Sequence, residues 1–192
     1  MFKRMAGWIV TWQIDRQILE RRDESLYLFA YESMIGQLAN ILTAILIAFV
    51  FHSWLPVVCF LTAYIPLRSY AGGYHADSHG RCCVVSAVIL VLISGFDKVL
   101  SGAFFMPLGI CALMISGAAV YGLAPVADHN KPLDEEERKR YQMKRREIWT
   151  AEELGMALCA MLHMGRVCNI ISASLLLTAL MLVIGKMKNE HL

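Results

Sequence analysis

Apolar residues fill this chain in long blocks separated by short polar connectors. From Met34 to Leu67, from Val99 to Val126 and from Val167 to Gly185 there is no Lys, Arg, Asp or Glu. A hydrocarbon core of about 30 Å takes about 20 helical residues to cross, and a helix is the simplest way to satisfy every backbone group inside it. As one helix, Met34–Leu67 would be roughly 50 Å long at about 1.5 Å per residue. It therefore reads as a hairpin with its break near His52-Ser53-Trp54-Leu55-Pro56. The first arm starts near Leu26 and takes in Glu32. Cys83–Phe96 makes a short third span and Val99–Val126 a fourth. Between Ile148 and Gly185 only Glu152, Glu153 and Arg166 are charged, which places a turn at Met164-Gly165-Arg166 between a fifth span and a sixth. The uncharged part of the fifth, Leu154–Gly165, is too short to cross unaided. The pattern predicts an all-α polytopic membrane helical bundle of about six transmembrane helices.

Phe2, Met5, Ile9, Trp12 and Leu19 recur near helical spacing, with Lys3, Arg4, Asp15 and Arg16 among them. Residues 1–25 thus read as an amphipathic N-terminal helix, suited either to the membrane interface or to capping the bundle. No secretory signal is visible, since this stretch lacks a continuous apolar core before a small-residue cleavage site.

Composition agrees with the pattern. The chain has 192 residues, 57% of them apolar and 18% charged, and its mean hydropathy is +0.51. That balance excludes an ordinary soluble domain and a disordered one. The net charge of +2 says little, because the cations are segregated. With a cytoplasmic N-terminus, sixteen of the eighteen Lys and Arg fall on the inner side and only Lys98 and Arg166 on the outer. Such a bias supports an even number of spans and cytoplasmic termini. Cys59, Cys111, Cys159 and Cys168 lie inside apolar runs, where cysteine acts as a small apolar filler. Gly165, Ser172 and Ser174 suit close helix packing or association as a homodimer. The whole of 1–192 reads as one integral-membrane domain, with a basic cytoplasmic loop at 127–147. In that loop Glu–Arg pairs at helical spacing suggest a short exposed helix, whose cations would meet lipid headgroups or an acidic peptide.

Chemistry concentrates between spans two and three. The segment Arg68-Ser69-Tyr70-Ala71-Gly72-Gly73-Tyr74-His75-Ala76-Asp77-Ser78-His79-Gly80-Arg81-Cys82-Cys83 holds two of the six histidines and two of the six cysteines. One reading is a cysteine nucleophile with a histidine base, in which a nearby imidazolium lowers the thiol pKa. His75 and Cys82 would lie two turns, about 10 Å, apart on a straight helix, so that pair requires a bend, for which Gly80 is a candidate. His79 and Cys83 would meet on an unbroken helix. A second reading is a metal site from His75, His79, Cys82 and Cys83, although adjacent cysteines chelate one ion poorly. A third is a plain polar connector. Spacing alone does not choose among them.

Arg68, Gly73, His75 and Cys82 in this spacing resemble the accessory gene regulator protein B (AgrB) family of bacterial membrane peptidases. The resemblance extends to Glu32 in the first span and to Ala124-Pro125…Asn130-Lys131-Pro132 before the basic loop. It implies a cysteine endopeptidase of the cell membrane, with His75 and Cys82 as its catalytic pair. Glu32, Arg68, Gly72, Gly73 and Lys131 would be substrate-binding or supporting residues. The implied partner is a small amphipathic (AgrD-like) pro-peptide, cut through a Cys82 thioester and cyclised to a thiolactone or lactone quorum-sensing signal. No metal, cofactor or nucleic acid is expected. Gly72 and Gly73 could offer N–H groups to an oxyanion or form a turn, and Asp77 could orient His75. The alternative class is a non-enzymatic transporter or metal-binding membrane protein. Against transport, the spans from residue 84 onward carry few ionisable groups and no acidic residue placed mid-membrane to couple ions.

A reporter fused to the C-terminus is expected to be cytoplasmic. An extracellular signal would remove one span from this topology.

Overall fold

In a computed structural model that describes residues 2–73, 79–99, 105–126 and 134–190, the described residues form seven α-helices and one short 3₁₀ turn. Helix α1 runs Phe2–Asp15, α2 Glu24–Val50, α3 Trp54–Ala71 and α4 His79–Val99; α5 runs Phe105–Gly122, α6 Glu135–Met161 and α7 Gly165–Glu190. The expected amphipathic helix and six further helices are therefore present, with both interruptions, at Phe51–Ser53 and Leu162–Met164, near the expected positions. Among the described residues three helices are long and apolar enough to cross a membrane, Arg21–Val50, Gly80–Val99 and Gly165–Lys188, and Met106–Gly122 is a shorter apolar helix. The chain is an all-α membrane bundle.

By contacts the chain divides into two compact units, Met1–His52 with Ala76–Val91 and Ser53–His75 with Leu92–Leu192. In the first, α1 packs on α2. Ala6 and Val10 are buried, and the Gln13 Nε2 group donates to the Tyr31 hydroxyl at 2.8 Å. Met5, Trp8 and Trp12 stay exposed, with Arg16 over the Trp12 ring. The small residues of α1 thus pack on α2, while its aromatics are left for a surrounding medium. The helix ends at Asp15, short of the expected 1–25, and Gln17 takes a positive φ of 56°.

In the second unit α7 is the central element, packing against α3, α5 and α6. Its composition explains this. In lipid no water is released when helices associate, so close contact of small residues supplies the attraction. Cys168, Ser172, Ser174, Leu175 and Thr178 are fully buried. Ser172 and Thr178 return their hydroxyls to Cys168 O and Ser174 O, at 2.8 and 3.0 Å, which satisfies them without a partner helix. A Cβ on Gly109 of α5 would lie 3.6 Å from Met156 Sδ and 3.8 Å from Ser172 Oγ. The small residues Gly165, Ser172 and Ser174 are thus buried within the chain and are not a face open to a second copy.

The fifth expected span and residues 134–147 of the expected basic loop prove to be parts of one helix. Helix α6 is continuous for 27 residues, so 134–147 is the N-terminal half of a long helix and not a loop with a short one. Asp134 caps it by accepting the Glu137 N–H at 2.7 Å. Glu135, Glu136 and Glu137 fill its first turn, where negative charge meets the positive end of the helix dipole. Ion pairing and hydrogen bonding also join the opposite ends of this unit's helices. Asp97 on α4 receives both the Nε and Nη2 groups of Arg166 on α7, at 3.2 and 2.6 Å. The Ser53 and Ser94 hydroxyls meet at 2.8 Å, both buried.

Ser53→Ala or Ser94→Ala alone leaves one buried hydroxyl unpaired and is expected to cost about 1–3 kcal/mol. The double variant should lose less than the sum of the two, read as a thermal-unfolding cycle in detergent micelles.

Candidate active site

Helix α3 carries Arg68 in its last turn and ends at Ala71. A helix leaves its last carbonyls without intrahelical partners, and here the side chain of Arg68 donates to Gly72 O. Gly72 N donates to Arg68 O at 3.1 Å, closing the helix, and Gly73 N donates to Val126 O at 3.4 Å. The exchange is completed by Val126 N, which donates to Ala71 O at 3.0 Å. Gly72 and Val126 thus form a parallel β-bridge. Gly72 and Gly73 have φ of 74° and 118°, the second in a region that only glycine adopts freely. Space imposes the same choice. A Cβ on Gly72 would lie 2.1 Å from Val126 O, and one on Gly73 2.7 Å from Met181 O of α7. With both N–H groups bonded to carbonyls, the two glycines act here as a turn and a close-packing point, and neither N–H is free for an oxyanion.

Beneath this junction lies a cluster of Ala71, Ala119, Val120, Ala124, Ala179 and Leu182, with Trp149 against it. Helices α3, α5 and α7 thereby converge where the candidate segment leaves α3. His75 and Asp77 lie outside the described residues, as do Asn130 and Lys131 and the side chain of His79.

Cys82 and Cys83 stand on the first turns of α4, in the first unit. Helix α4 starts at His79 and runs unbroken through Gly80, so Gly80 is not the break that a His75–Cys82 pair was expected to need. The two adjacent cysteines differ in exposure. Cys82 is exposed, whereas Cys83 is partly buried with its Sγ 4.0 Å from Gly36 O of α2. Glu32 is partly buried on α2, one turn before Gly36. All six cysteines are free thiols. Among the described residues no group of three His, Cys, Asp or Glu side chains could hold a metal.

The basic stretch separates into two classes of cation. Arg138, Lys139, Arg140 and Lys144 are exposed, and Lys144 pairs with Glu147 at 2.8 Å, a contact that raises its pKa. Arg146 lies over the Tyr121 ring, 5.5 Å from its centroid. Arg145 is only 2% exposed and donates through Nη1 to Val120 O, in the last turn of α5. Burial, and then Arg146 beside it, lower its pKa, yet an arginine stays charged. One helical turn further on, Trp149 donates to Ser116 Oγ at 3.0 Å and meets Tyr121 edge-on. Arg145 escaped the sequence reading because it sits in a run of cations. The signal that could have found it is helical spacing, since Tyr141, Arg145, Ile148, Trp149, Glu152 and Met156 share one face of α6.

An all-α membrane bundle with an exposed thiol opening one helix, and a glycine turn pinned at the end of another, defines a class of integral-membrane protein. The chain belongs to the accessory gene regulator B (AgrB) family, whose model matches residues 2–182. It is 27% identical over 117 residues to AgrB-like protein 2 of Clostridium perfringens (strain 13 / Type A), a match covering 58% of this chain and 55% of that protein. An AgrB-like protein of C. perfringens (strain SM101 / Type A) matches to the same extent. An AgrB-like protein of Lactiplantibacillus plantarum is 25% identical over 169 residues, covering 86% of this chain and 80% of that one. The chain thus spans about half the length of the Clostridium relatives it matches. No solved structure matches the chain.

Gly73→Ala should lower the thermal stability of the purified protein by about 1–3 kcal/mol, because its φ strains any side chain and the methyl group meets helix backbone. Gly80→Ala places its methyl group in open space. It should be neutral, or stabilising by up to about 1 kcal/mol, within α4.

Proposed function

We propose that this protein is a membrane cysteine endopeptidase that processes the pro-peptide of an agr-type quorum-sensing system. Cys82 is the nucleophile and His75 its base. The observation that carries the reading is the exposure of Cys82 on the first turns of α4, beside a neighbour, Cys83, that is turned onto α2. The family match over residues 2–182 supports it, as does the Arg68…Gly73-x-His75-x6-Cys82 spacing.

The chemistry follows from these residue types. Proton transfer from Cys82 to His75 generates the thiolate, the reactive form of the thiol. Sulfur attacks the scissile carbonyl, the C–N bond breaks, and His75 returns the proton to the departing amine. The N-terminal part of the peptide is then held as a thioester on Cys82. An internal Cys or Ser of the peptide attacks that thioester, closes a thiolactone or lactone and releases Cys82 as a thiol. Thioester exchange is nearly balanced in free energy, so water has to be kept from the carbonyl while the ring closes. A membrane-bound enzyme acting on an amphipathic peptide at the bilayer surface suits that need.

Arg68, Gly72 and Gly73 support the segment from the α3 side. Glu32 and Lys131 complete the supporting and substrate-binding set, and the exposed cations of α6 face acidic groups of peptide or lipid. The termini and the catalytic segment are cytoplasmic, as the cation bias requires. Residues 1–192 act as one peptidase domain.

The test is reconstitution of the full chain in lipid vesicles with the pro-peptide encoded beside its gene. A covalent peptide adduct should form on Cys82, and Cys82→Ala should lose both adduct and cleavage while Cys83→Ala keeps them. Cleavage by Cys82→Ala but not by Cys83→Ala would overturn the choice of nucleophile. Full cleavage by both would end the cysteine-peptidase reading.

A further inference from the structure

We infer that α1 is a lipid-binding element. Its Met5–Trp8–Trp12 stripe lies in the boundary between headgroups and acyl chains, and the helix runs along the bilayer surface at the root of α2. This holds independently of the His75–Cys82 reading above.

The sequence pattern gathers Phe2, Met5, Ile9 and Trp12 as the apolar positions of one amphipathic helix, and the structure divides them between two stripes. Ala6 and Val10 are buried on α2, and Gln13 bonds to Tyr31 on the same side. Met5, Trp8 and Trp12, at i, i+3 and i+7, form a second stripe roughly a third of the way round the helix. They are 48%, 75% and 49% exposed, while Phe2 and Ile9 are half-buried between the two stripes. The first stripe is small and packs on protein. A helix that only capped the bundle would turn its large side chains to the packed side, and here they are on the open one.

Depth follows from α2. Its stretch from Met34 to Val50 carries no charge and is roughly 25 Å long at about 1.5 Å per residue, most of a hydrocarbon core of about 30 Å. The turns before it, with Glu24 and Glu32, then stand at headgroup level. Those are the turns on which α1 packs. A Cβ on Gly7 would lie 4.0 Å from Leu28 Cδ1, and Gln13 Nε2 is 2.8 Å from the Tyr31 hydroxyl. Both ends of that contact fall within one turn of α2. A helix running back along α2 would spread them over about 9 Å of it. Helix α1 therefore crosses α2 at this level and, with α2 through the bilayer, lies along its surface.

The chemistry of the stripe selects lipid as its occupant. Arg4 precedes Met5 and Arg16 follows Trp12 by one turn, and both are exposed. The Arg16 guanidinium lies over the Trp12 ring, 5.7 Å from its centroid. The core of a protein–protein interface is depleted of charge. The bilayer boundary instead takes Trp rings with their N–H groups wet and cations among the phosphates. On α2, at the same level, Leu26 and Phe29 are exposed as well, as a surface that meets lipid would have them.

The experiment puts the full-length protein in vesicles of phosphatidylcholine and phosphatidylglycerol, the phosphatidylcholine brominated near either the headgroup end or the methyl end of its acyl chains. Bromine quenches tryptophan at contact, so the two lipids read depth, and acrylamide reads exposure to water. The chain has four tryptophans, and subtracting the emission of Trp8→Phe and of Trp12→Phe from that of the wild type isolates each ring in α1. Met5→Trp adds a third reporter to the stripe and carries the test if either Phe variant fails to fold. Each reporter should lose at least about twofold more emission to the shallow bromines than to the deep ones, as for side chains seated about 5–10 Å into the boundary, and little to acrylamide. Strong quenching by acrylamide with none from either lipid would leave the stripe in water and overturn the inference. Deeper bromines quenching more than shallow ones would make α1 an inserted segment and overturn it too. Shielding from all three quenchers would assign the stripe to a protein surface, a second copy if the shielding falls as the protein is diluted in lipid, and would also overturn it. None of these outcomes touches the choice of nucleophile, which the adduct on Cys82 tests separately.

Discussion

The constraint on which this architecture depends is the need to satisfy carbonyl groups at helix ends in or beside a bilayer. Water is scarce there, and an unpaired backbone group costs several kcal/mol in hydrocarbon. The ends of α3 and α5 meet that need with each other and with two arginines. Arg68 takes Gly72 O, Arg145 takes Val120 O, and Ala71, Gly73 and Val126 exchange main-chain hydrogen bonds. The glycines follow from this. Any side chain at 72 or 73 would strike Val126 or the backbone of α7, so a turn this close-packed admits no other residue without displacement.

Helix α7 makes that junction possible by being small where its neighbours are large. Its buried Cys168, Ser172, Ser174 and Thr178 let α3, α5 and α6 approach, and 61% of its apolar stretch is buried against 17% for α2 and α4. Two of its hydroxyls are returned to its own backbone.

Much of the fold was legible because membrane spans advertise themselves. Charge-free runs have few alternatives, and the interruptions at His52-Ser53 and Met164-Gly165 follow from span length and turn-forming residues. The continuity of α6 was less legible. Its first half is polar and its second apolar, so composition suggests a boundary, whereas Asp134 capping and unbroken 3.6-residue spacing carry one helix across it. The candidate site was legible as a motif but not as geometry. Arg68, Gly73 and Cys82 were singled out by resemblance to a family pattern, since spacing alone left the choice of cysteine open. That Cys83 is turned to Gly36 while Cys82 is exposed depends on how α4 rotates against α2, which no local pattern encodes. Arg145 was hidden for the same reason, since burial of one cation among the six of α6 is a property of the packed helix face.

The sequence by itself determined the solvent this protein requires, the number and order of its helices, and the short stretch that gathers its candidate histidines and cysteines. These follow from local quantities, namely hydropathy summed over about 20 residues and the placement of charge. Only the tertiary structure decided which cation is buried, which of two adjacent thiols is presented, and why two consecutive glycines stand where α3 ends. Each of those depends on a second segment distant in sequence, α2 for the thiols and α5 with α7 for the glycines. It is packing between segments that gives the apolar excess of this chain a defined junction of helix ends.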